Sequence, residues 1–415
     1  MRYHFEGELT AGDCKQHFPL RFDVPEGWGV LEMDFAFEPA RVRGIANRLT
    51  LTLFDPDGFR GAGHRGGADH HVYVGETEAT PGYLPGPLPS GSWVVEIDTH
   101  MIMPGPVVRY RLEVELTAPA DASGARPAVA LRSPGVVAGQ GAGWYRGDLH
   151  THSHHSDAKD FTVADMISLA QAYALDFFFL TDHNTNAGLL DGGLPSDEAP
   201  LVCRGIELTT FWGHALCLGT DRWIDWRVRP GTGAMRHIVD TTRRAGEVFV
   251  IAHPLADGDP GCTGCAWRFG GMMPGNARWV EIWNGPWGGD SNNEEALHLW
   301  YDWLNQGLRM IATAGTDVHG RVPAGVKPGF NVIYADTLSE LALLDALRAG
   351  HLYLSAGPEL LLTAVDRDGQ QAMMGDRVHQ PASFRVAWND TPAGGEVRIL
   401  VNGRLLTSVA SGREG

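Results

Sequence analysis

The chain has no long hydrophobic run. No uninterrupted apolar stretch approaches the roughly 20 residues that cross a bilayer, and the start, MRYHFEGELTAG, lacks the apolar core of a signal peptide. These absences predict a cytoplasmic protein with no membrane contact. Cysteine is scarce as well: Cys14, Cys203, Cys217, Cys262 and Cys265 make an odd, sparse set, which argues against a secreted disulfide scaffold. Basic residues are outnumbered, with 33 Lys and Arg against 50 Asp and Glu for a net charge of -17. Long-range repulsion of that size disfavours a nucleic-acid polymer as partner, although metal ions can invert the field inside a pocket and leave room for a small phosphate ester.

Cys262 and Cys265 form a single C-x-x-C in GDPGCTGCAW. A closed zinc site needs four ligands and no second C-x-x-C exists, while a redox C-x-x-C usually opens a helix after a strand rather than sitting in a glycine loop. Both cysteines are therefore expected to stand outside the functional site.

What the chain does have is enough apolar content, 43% over 415 residues, to bury at least one large core and fill two or three domains. From 1 to 118, LEMDFAF, RLTLTLF followed by DPDG, SWVVEID and RYRLEVEL alternate apolar and polar residues between turn signals, which predicts an all-β sandwich. Residues 119–143, rich in Ala, Gly and Pro, read as a linker. From 144 to 357, strands alternate with amphipathic helices. TVADMISLAQAYA puts Val163, Met166, Ile167 and Ala170 on one face before the strand FFFL. SNNEEALHLWYDWLNQG opens on a Ser291 or Asn292 cap and stops at Gly307, and LSELALLDALRAG ends at Gly350. Such units predict an α/β fold with a parallel sheet closing into a barrel, whose strand C-termini meet at one mouth. Residues 358–415 return to β character with an Asn402–Gly403 hairpin signal and read as a small C-terminal β segment.

Five motifs follow those apolar runs: RGDLHTHSHHSD from Arg146, LTDHN from Leu180, RGIELTTFWGH from Arg204, IAHP from Ile251 and AGTDVHG from Ala314. His150 and His152 stand two apart at a strand end, so they project to the same side. One such histidine would ordinarily be a core or loop residue. His150, His152, Asp157, His183, Glu207, His214, His253, Asp317 and His319 together at one barrel rim point instead to a multinuclear metal site. Imidazole and carboxylate donors without thiolate suit Zn, Mn or Fe(II).

The order H-x-H with a following Asp, then TDHN, GIE with a downstream His, AHP and GTDVH resembles the PHP family, named for its polymerase and histidinol phosphatase members, over roughly residues 147–357. That resemblance implies a distorted seven-stranded β/α barrel binding two or three divalent metals. It also implies a first metal on His150, His152, Glu207 and Asp317, a second shared through Glu207 with His214 and His253, and a third on Asp157, His183 and His319. GIELTTFWGHALCLG and EIWNGPWGG, with the N-terminal β region, are similar to the branch that includes carbaryl-type carbamate hydrolases.

Two metals about 3.5 to 4 Å apart would share a water, bring its pKa toward ~7 and aim the bridging hydroxide at phosphorus or carbon. Asp317 is expected to orient it, with Glu207 and His253 as its catalytic companions. Arg204, His155, Glu281 and Asn284 are candidate substrate contacts, while His154 is either such a contact or a solvent-facing loop residue. Trp283, Trp287, Trp300 and Trp303 form either an aromatic wall or, for the last two, helix core. The leading expectation is a phosphoesterase for a small phosphomonoester or phosphodiester. The alternative is a carbamate or carboxylic ester hydrolase, which apolar walls would favour over cations. A non-catalytic binding module, its β region holding a glycan or a protein, is disfavoured because no ligand position is missing. The histidines of the first 118 residues, His70 and His71 among them, lack ligand spacing. The expected partner is a small-molecule substrate; the sequence leaves oligomeric state open.

Overall fold

Period-two burial turns the N-terminal segments into strands. In the computed structural model, which describes residues 1–118, 133–191, 197–323, 325–392 and 394–415, LEMDFAF lies in the strand Val30–Glu38 and buries Leu31, Met33, Phe35 and Phe37 on one side. Two antiparallel sheets of four strands result. One runs in the order Arg2–Leu9, Val108–Thr117, Val30–Glu38, Asp69–Val74, and the other His17–Val24, Gly91–Met101, Arg48–Asp55, Gly58–Gly63. Phe35 and Leu112 of the first and Trp93 and Leu51 of the second share one core. At DPDG, the Asp55 carboxylate accepts from the amides of Asp57 and Gly58, which sets the turn.

The expected linker falls partly outside the described residues, at 119–132. Its later part is pinned at Val137, whose amide donates to the carbonyl of Leu338.

A nine-stranded sheet carries the rest, in the order Ile311–Gly315, Trp279–Asn284, Val248–Ile251, Gly213–Leu218, Leu201–Thr210, Phe177–Leu180, Gly143–Thr151, Phe330–Ala335, Leu352–Ser355. It curls nearly shut. A parallel bridge joins Thr151 to Val318, and the Asn331 side chain spans the gap by bonding both the amide and the carbonyl of Ala314. The sheet is mixed where a uniformly parallel one was expected. Thr210 to Gly213 form a tight turn, so Gly213–Leu218 runs antiparallel to Leu201–Thr210 and His214 folds back opposite Thr209, on the face that carries Glu207.

The three expected helices form where their spacing predicts. Val163–Ala172 has Thr162 and Asp165 as a reciprocal cap and buries Val163, Met166 and Ala170. Glu340–Ala349 starts at Ser339 and ends on left-handed Gly350. Asn293–Asn305 departs from expectation. Asn292 is its N-cap but makes no side-chain cap bond, and Ser291 donates to the Asn284 side chain instead. Ala234–Arg244 is a further helix. The last residues make a three-stranded sheet and a hairpin, Glu396–Val401 with Arg404–Ala410, turning at left-handed Asn402 and Gly403. Among the described residues no helix is long and apolar enough to cross a membrane.

Candidate metal centre

The ligand candidates gather at one end of the sheet, and several are held there by a buried acid or by a left-handed turn of their own backbone. Asp148 accepts from the amides of His150 and Thr316 (3.1 and 3.0 Å) and from the Thr316 hydroxyl (2.6 Å), locking two strand ends side by side. Asp182 accepts from the Ser153 amide and from the Ser153 and Ser156 hydroxyls, which shapes the loop after His152. His253 and Asp317 have φ of 26° and 51°, conformations that cost a side chain free energy and concentrate at functional sites. Gly315 is required by close approach: a Cβ there would lie 2.3 Å from the His150 Cβ and 2.5 Å from Glu281 Oε1.

The structure brings all nine candidates together. His150 Nε2 lies 3.5 Å from Glu207 Oε1 and 3.3 Å from Asp317 Oδ1, and His152 Nε2 lies 3.4 Å from Glu207 Oε2 and 3.0 Å from Asp317 Oδ1. His214 Nδ1 and His253 Nε2 each approach Glu207 Oε1 at 3.2 Å. His183 Nε2 and His319 Nε2 flank Asp157 Oδ1 at 3.4 and 3.1 Å, while His183 Nδ1 turns to Glu207 Oε2 at 2.7 Å. Glu207 is fully buried at the centre of the array.

These contacts are close but mostly not hydrogen bonds. His150 Nε2, both nitrogens of His152, Asp157 Oδ1, Glu207 Oε2 and Asp317 Oδ1 are buried without a hydrogen-bond partner. Buried polar atoms are rarely left so, and each costs about 1–3 kcal/mol. Lone pairs that converge without bonding one another fit divalent ions placed between them, and His152, Asp157, His183 and His319 form one such group.

The electrostatics agree. Burial pushes the carboxyls of Glu207, Asp157 and Asp317 upward, but the surrounding imidazoles override it and hold all three well below the usual range. Burial likewise depresses His183 and His319, yet Glu207 and Asp157 lift His183 to about 10, and Asp157 and Asp317 lift His319 to about 9. His152, buried beside His319 and His183, falls to about 4. The carboxylates demand positive charge at their centre, whether as protons or as metal ions.

Four expected substrate contacts do other work. Glu281 is buried behind His150: its carboxylate accepts from His150 Nδ1 (3.1 Å), the His253 amide (3.0 Å) and Asn284 Nδ2 (3.1 Å). Asn284 also donates to Asp317 Oδ2 at 3.2 Å, leaving Oδ1 to face the histidines. Both residues position ligand candidates. Arg204 is taken up by Glu340, through two contacts at 2.9 and 2.8 Å, and by Asp221 at 3.0 Å. His155 accepts from the Gly82 amide and pairs with Asp191. The cysteines also depart from expectation. Cys262 and Cys265 are disulfide-bonded, and the Cys265 sulfur lies within 4.8 Å of ligand atoms of His214 and His253.

Sequence reasoning missed the cations. A cavity of about 790 Å³ opens beside Asp157 and is lined by Arg65, Pro81, His154, Ser156, Lys159 and Asp160. Lys159 and Asp160 continue into a hollow shared with His319 and Arg321. Arg65 comes from the N-terminal sheets and donates to the carbonyls of Pro81 and His154. His64, beside it in sequence, lays its ring 4.5 Å from that of His183. The adjacency of Arg65 to the site was invisible in sequence because 89 residues separate it from His154. The expected aromatic wall is absent from this cavity. Trp303 is core, Trp300 is bonded to the carbonyl of Met310, and Trp283 and Trp287 pack on each other with Trp287 bonded to Glu294.

No family model and no curated protein matches the chain. Among solved structures, a two-domain protein from Bacteroides vulgatus, described as containing a predicted PHP-like metal-dependent phosphoesterase, is similar at 15% identity, covering 69% of this chain and 100% of its own, with a TM-score of 0.39. A protein from Bifidobacterium adolescentis, described as a metal-dependent phosphoesterase by inference, is similar at 17% identity over 43% of this chain and 90% of its own, with a TM-score of 0.31. Neither description points to carbamate hydrolysis. At such TM-scores the chemistry has to be argued from this chain's own residues.

Proposed function

We propose that this chain is a metal-dependent hydrolase of the PHP kind, acting on a small phosphomonoester or phosphodiester. The observation that carries the reading is the set of buried, unpartnered donor atoms on His150, His152, Asp157, Glu207 and Asp317, of which Asp157 reaches the wall of a cavity also lined by Arg65, Lys159 and Asp160. Divalent ions held there would acidify a water and offset the charge that develops on the ester. Glu207, at the centre of the array, spans the His150/His152 and His214/His253 pairs. Asp317, held by Asn284 through Oδ2, would use its other oxygen to hold a metal or orient the attacking water. Arg65, Lys159 and Arg321 gather an anionic substrate at the mouth, and His154 lines the path of the leaving group.

Arg65 and Lys159, set beside Asp157 and Asp160, support a phosphoester over a neutral ester. A phosphoester brings negative charge that a neutral carbamate does not, and charge-assisted hydrogen bonds to it are worth about 1.5–3 kcal/mol. The test is a panel of aryl phosphates, nucleotide phosphates, aryl carbamates and carboxylic esters. Arg65→Ala and Lys159→Asn are each expected to cost about 10- to 150-fold in kcat/KM on the best phosphoester and little on any neutral ester, with inorganic phosphate competing. A carbamate preferred over every phosphoester, with both variants silent, would overturn the phosphoester reading in favour of the carbamate alternative.

A further inference from the structure

The loop Cys262–Cys265, CTGC, presses against the outer edges of two ligand candidates. The carbonyl of Thr263 lies 3.2 Å from His214 Nε2, and that of Cys265 lies 3.3 Å from His253 Nδ1. The opposite nitrogens, His214 Nδ1 and His253 Nε2, are the ones that face Glu207 Oε1. A ring that donates to a carbonyl on one side keeps its lone pair free on the other, so these two carbonyls select the tautomers that can hold a cation beside Glu207. The fit is tight. A Cβ on Gly264 would fall 2.0 Å from the carbonyl oxygen of Thr210 and 2.9 Å from His214 Nε2. The far side of the loop is anchored by the Thr263 hydroxyl, which donates to the carbonyl of His100 in the N-terminal sheets at 3.0 Å. The Cys262–Cys265 disulfide closes the segment that carries both carbonyls, and both cysteines are partly accessible to solvent.

We propose that this loop is a redox-sensitive clamp on the metal position formed by Glu207, His214 and His253, tight when the disulfide is formed and loosened when it is reduced. The proposal rests on the reading of those residues as metal ligands. A dithiol reductant supplies two electrons and two protons and is itself oxidised to a disulfide; the Cys262–Cys265 bond breaks and each sulfur leaves as a thiol. The loop then loses its covalent closure, and the Thr263 and Cys265 carbonyls are no longer held against the histidines. Removing a hydrogen-bond partner behind a ligating histidine weakens metal binding by about 10- to 100-fold.

The full chain is stripped of metal, then titrated with Zn or Mn against a chromophoric chelator in its oxidised form, in its reduced form after anaerobic removal of the dithiol, and as Cys262→Ser/Cys265→Ser. Intact mass verifies the redox state by the gain of two hydrogens. The expected result is that the reduced protein and the double variant bind one ion about 10- to 100-fold more weakly than the oxidised protein, while the remaining ion or ions are held as before. Gly264→Ala, which pushes the loop off His214 without touching the disulfide, is expected to weaken the same ion in the oxidised protein and to add little in the reduced protein, where the loop is already loose. Equal affinity and stoichiometry in verified oxidised and reduced protein would overturn the clamp while leaving the metal site intact. A thiolate charge-transfer band in reduced, cobalt-loaded protein would also overturn it, by making Cys265 a ligand. Binding of no ion in any form would instead remove the metal reading on which the clamp stands.

Discussion

Glu281→Gln changes one atom, and its effect can be worked from the hydrogen bonds around it. In the native protein every neighbour of the Glu281 carboxylate is a donor: His150 Nδ1 lies 3.1 Å from Oε1 and 3.3 Å from Oε2, and the His253 amide and Asn284 Nδ2 donate to Oε2. Glutamine keeps one oxygen. If that oxygen serves the His253 amide and Asn284, the new NH2 faces His150 Nδ1, and two donors meet. His150 then either crowds onto the retained oxygen, 3.3 Å away and already serving two donors, which turns its ring, or moves its proton to Nε2, the nitrogen that points at Glu207 and Asp317. The turned ring aims its lone pair off the ligand position, and the shifted tautomer offers a metal no lone pair there. If the amide turns the other way, two donors at Oε2 lose their acceptor, at about 1–3 kcal/mol each. Either way metal affinity is expected to fall by about 10- to 100-fold, or roughly 1.4–2.7 kcal/mol. Titration of metal-stripped protein against a chromophoric chelator reads that loss, and circular dichroism checks that the fold survives. A folded Glu281→Gln protein with native affinity and stoichiometry would refute the tautomer argument.

Two further outcomes follow from other parts of the molecule. Arg204→Ala leaves the fully buried Glu340 carboxylate without its guanidinium, so it is expected to cost about 3–5 kcal/mol of stability, seen as a lower melting temperature, with no change in the ratio of kcat/KM between phosphoesters and neutral esters. Burial depresses His17, but its hydrogen bonds to Asp98 and Glu96 raise it to about 9. The raised folded value places this stabilisation in full below the unfolded value near 6.5 and removes it as pH climbs through about 9; the melting temperature is expected to fall over that window and to flatten there in His17→Gln.

The ligand candidates were legible because each is local to a strand end: His150, His183, Glu207, His253 and Asp317 follow apolar runs whose length and flanks mark the strand. The helices with side-chain caps, at Thr162 and Ser339, were legible for the same reason. What stayed hidden depends on partners far away in sequence. Arg204 looked like a spare cation until Glu340, 136 residues on, was seen to claim it, and Glu281 looked like a pocket residue until His150, 131 residues earlier, was found against it. The antiparallel return of Gly213–Leu218 hid behind a two-residue turn with no Gly-Asn signal, since Phe211 and Trp212 occupy it. The C-x-x-C gave its spacing but not its neighbours.

The grip of the N-terminal sheets on the barrel bears on any attempt to dissect the chain. Gly82 uses both its backbone groups, the amide toward His155 and the carbonyl toward the Thr185 hydroxyl, and a Cβ there would lie 2.6 Å from the carbonyl oxygen of His155. A fragment beginning near Gly143 would lose those bonds, the His64 ring over His183, the Arg65 bond to His154 and the His100 anchor of the CTGC loop in one cut. The barrel is thus no self-contained unit that could be excised and grafted. The mouth of its candidate metal site is completed by a neighbour, and grafting would have to carry both or rebuild that rim residue by residue.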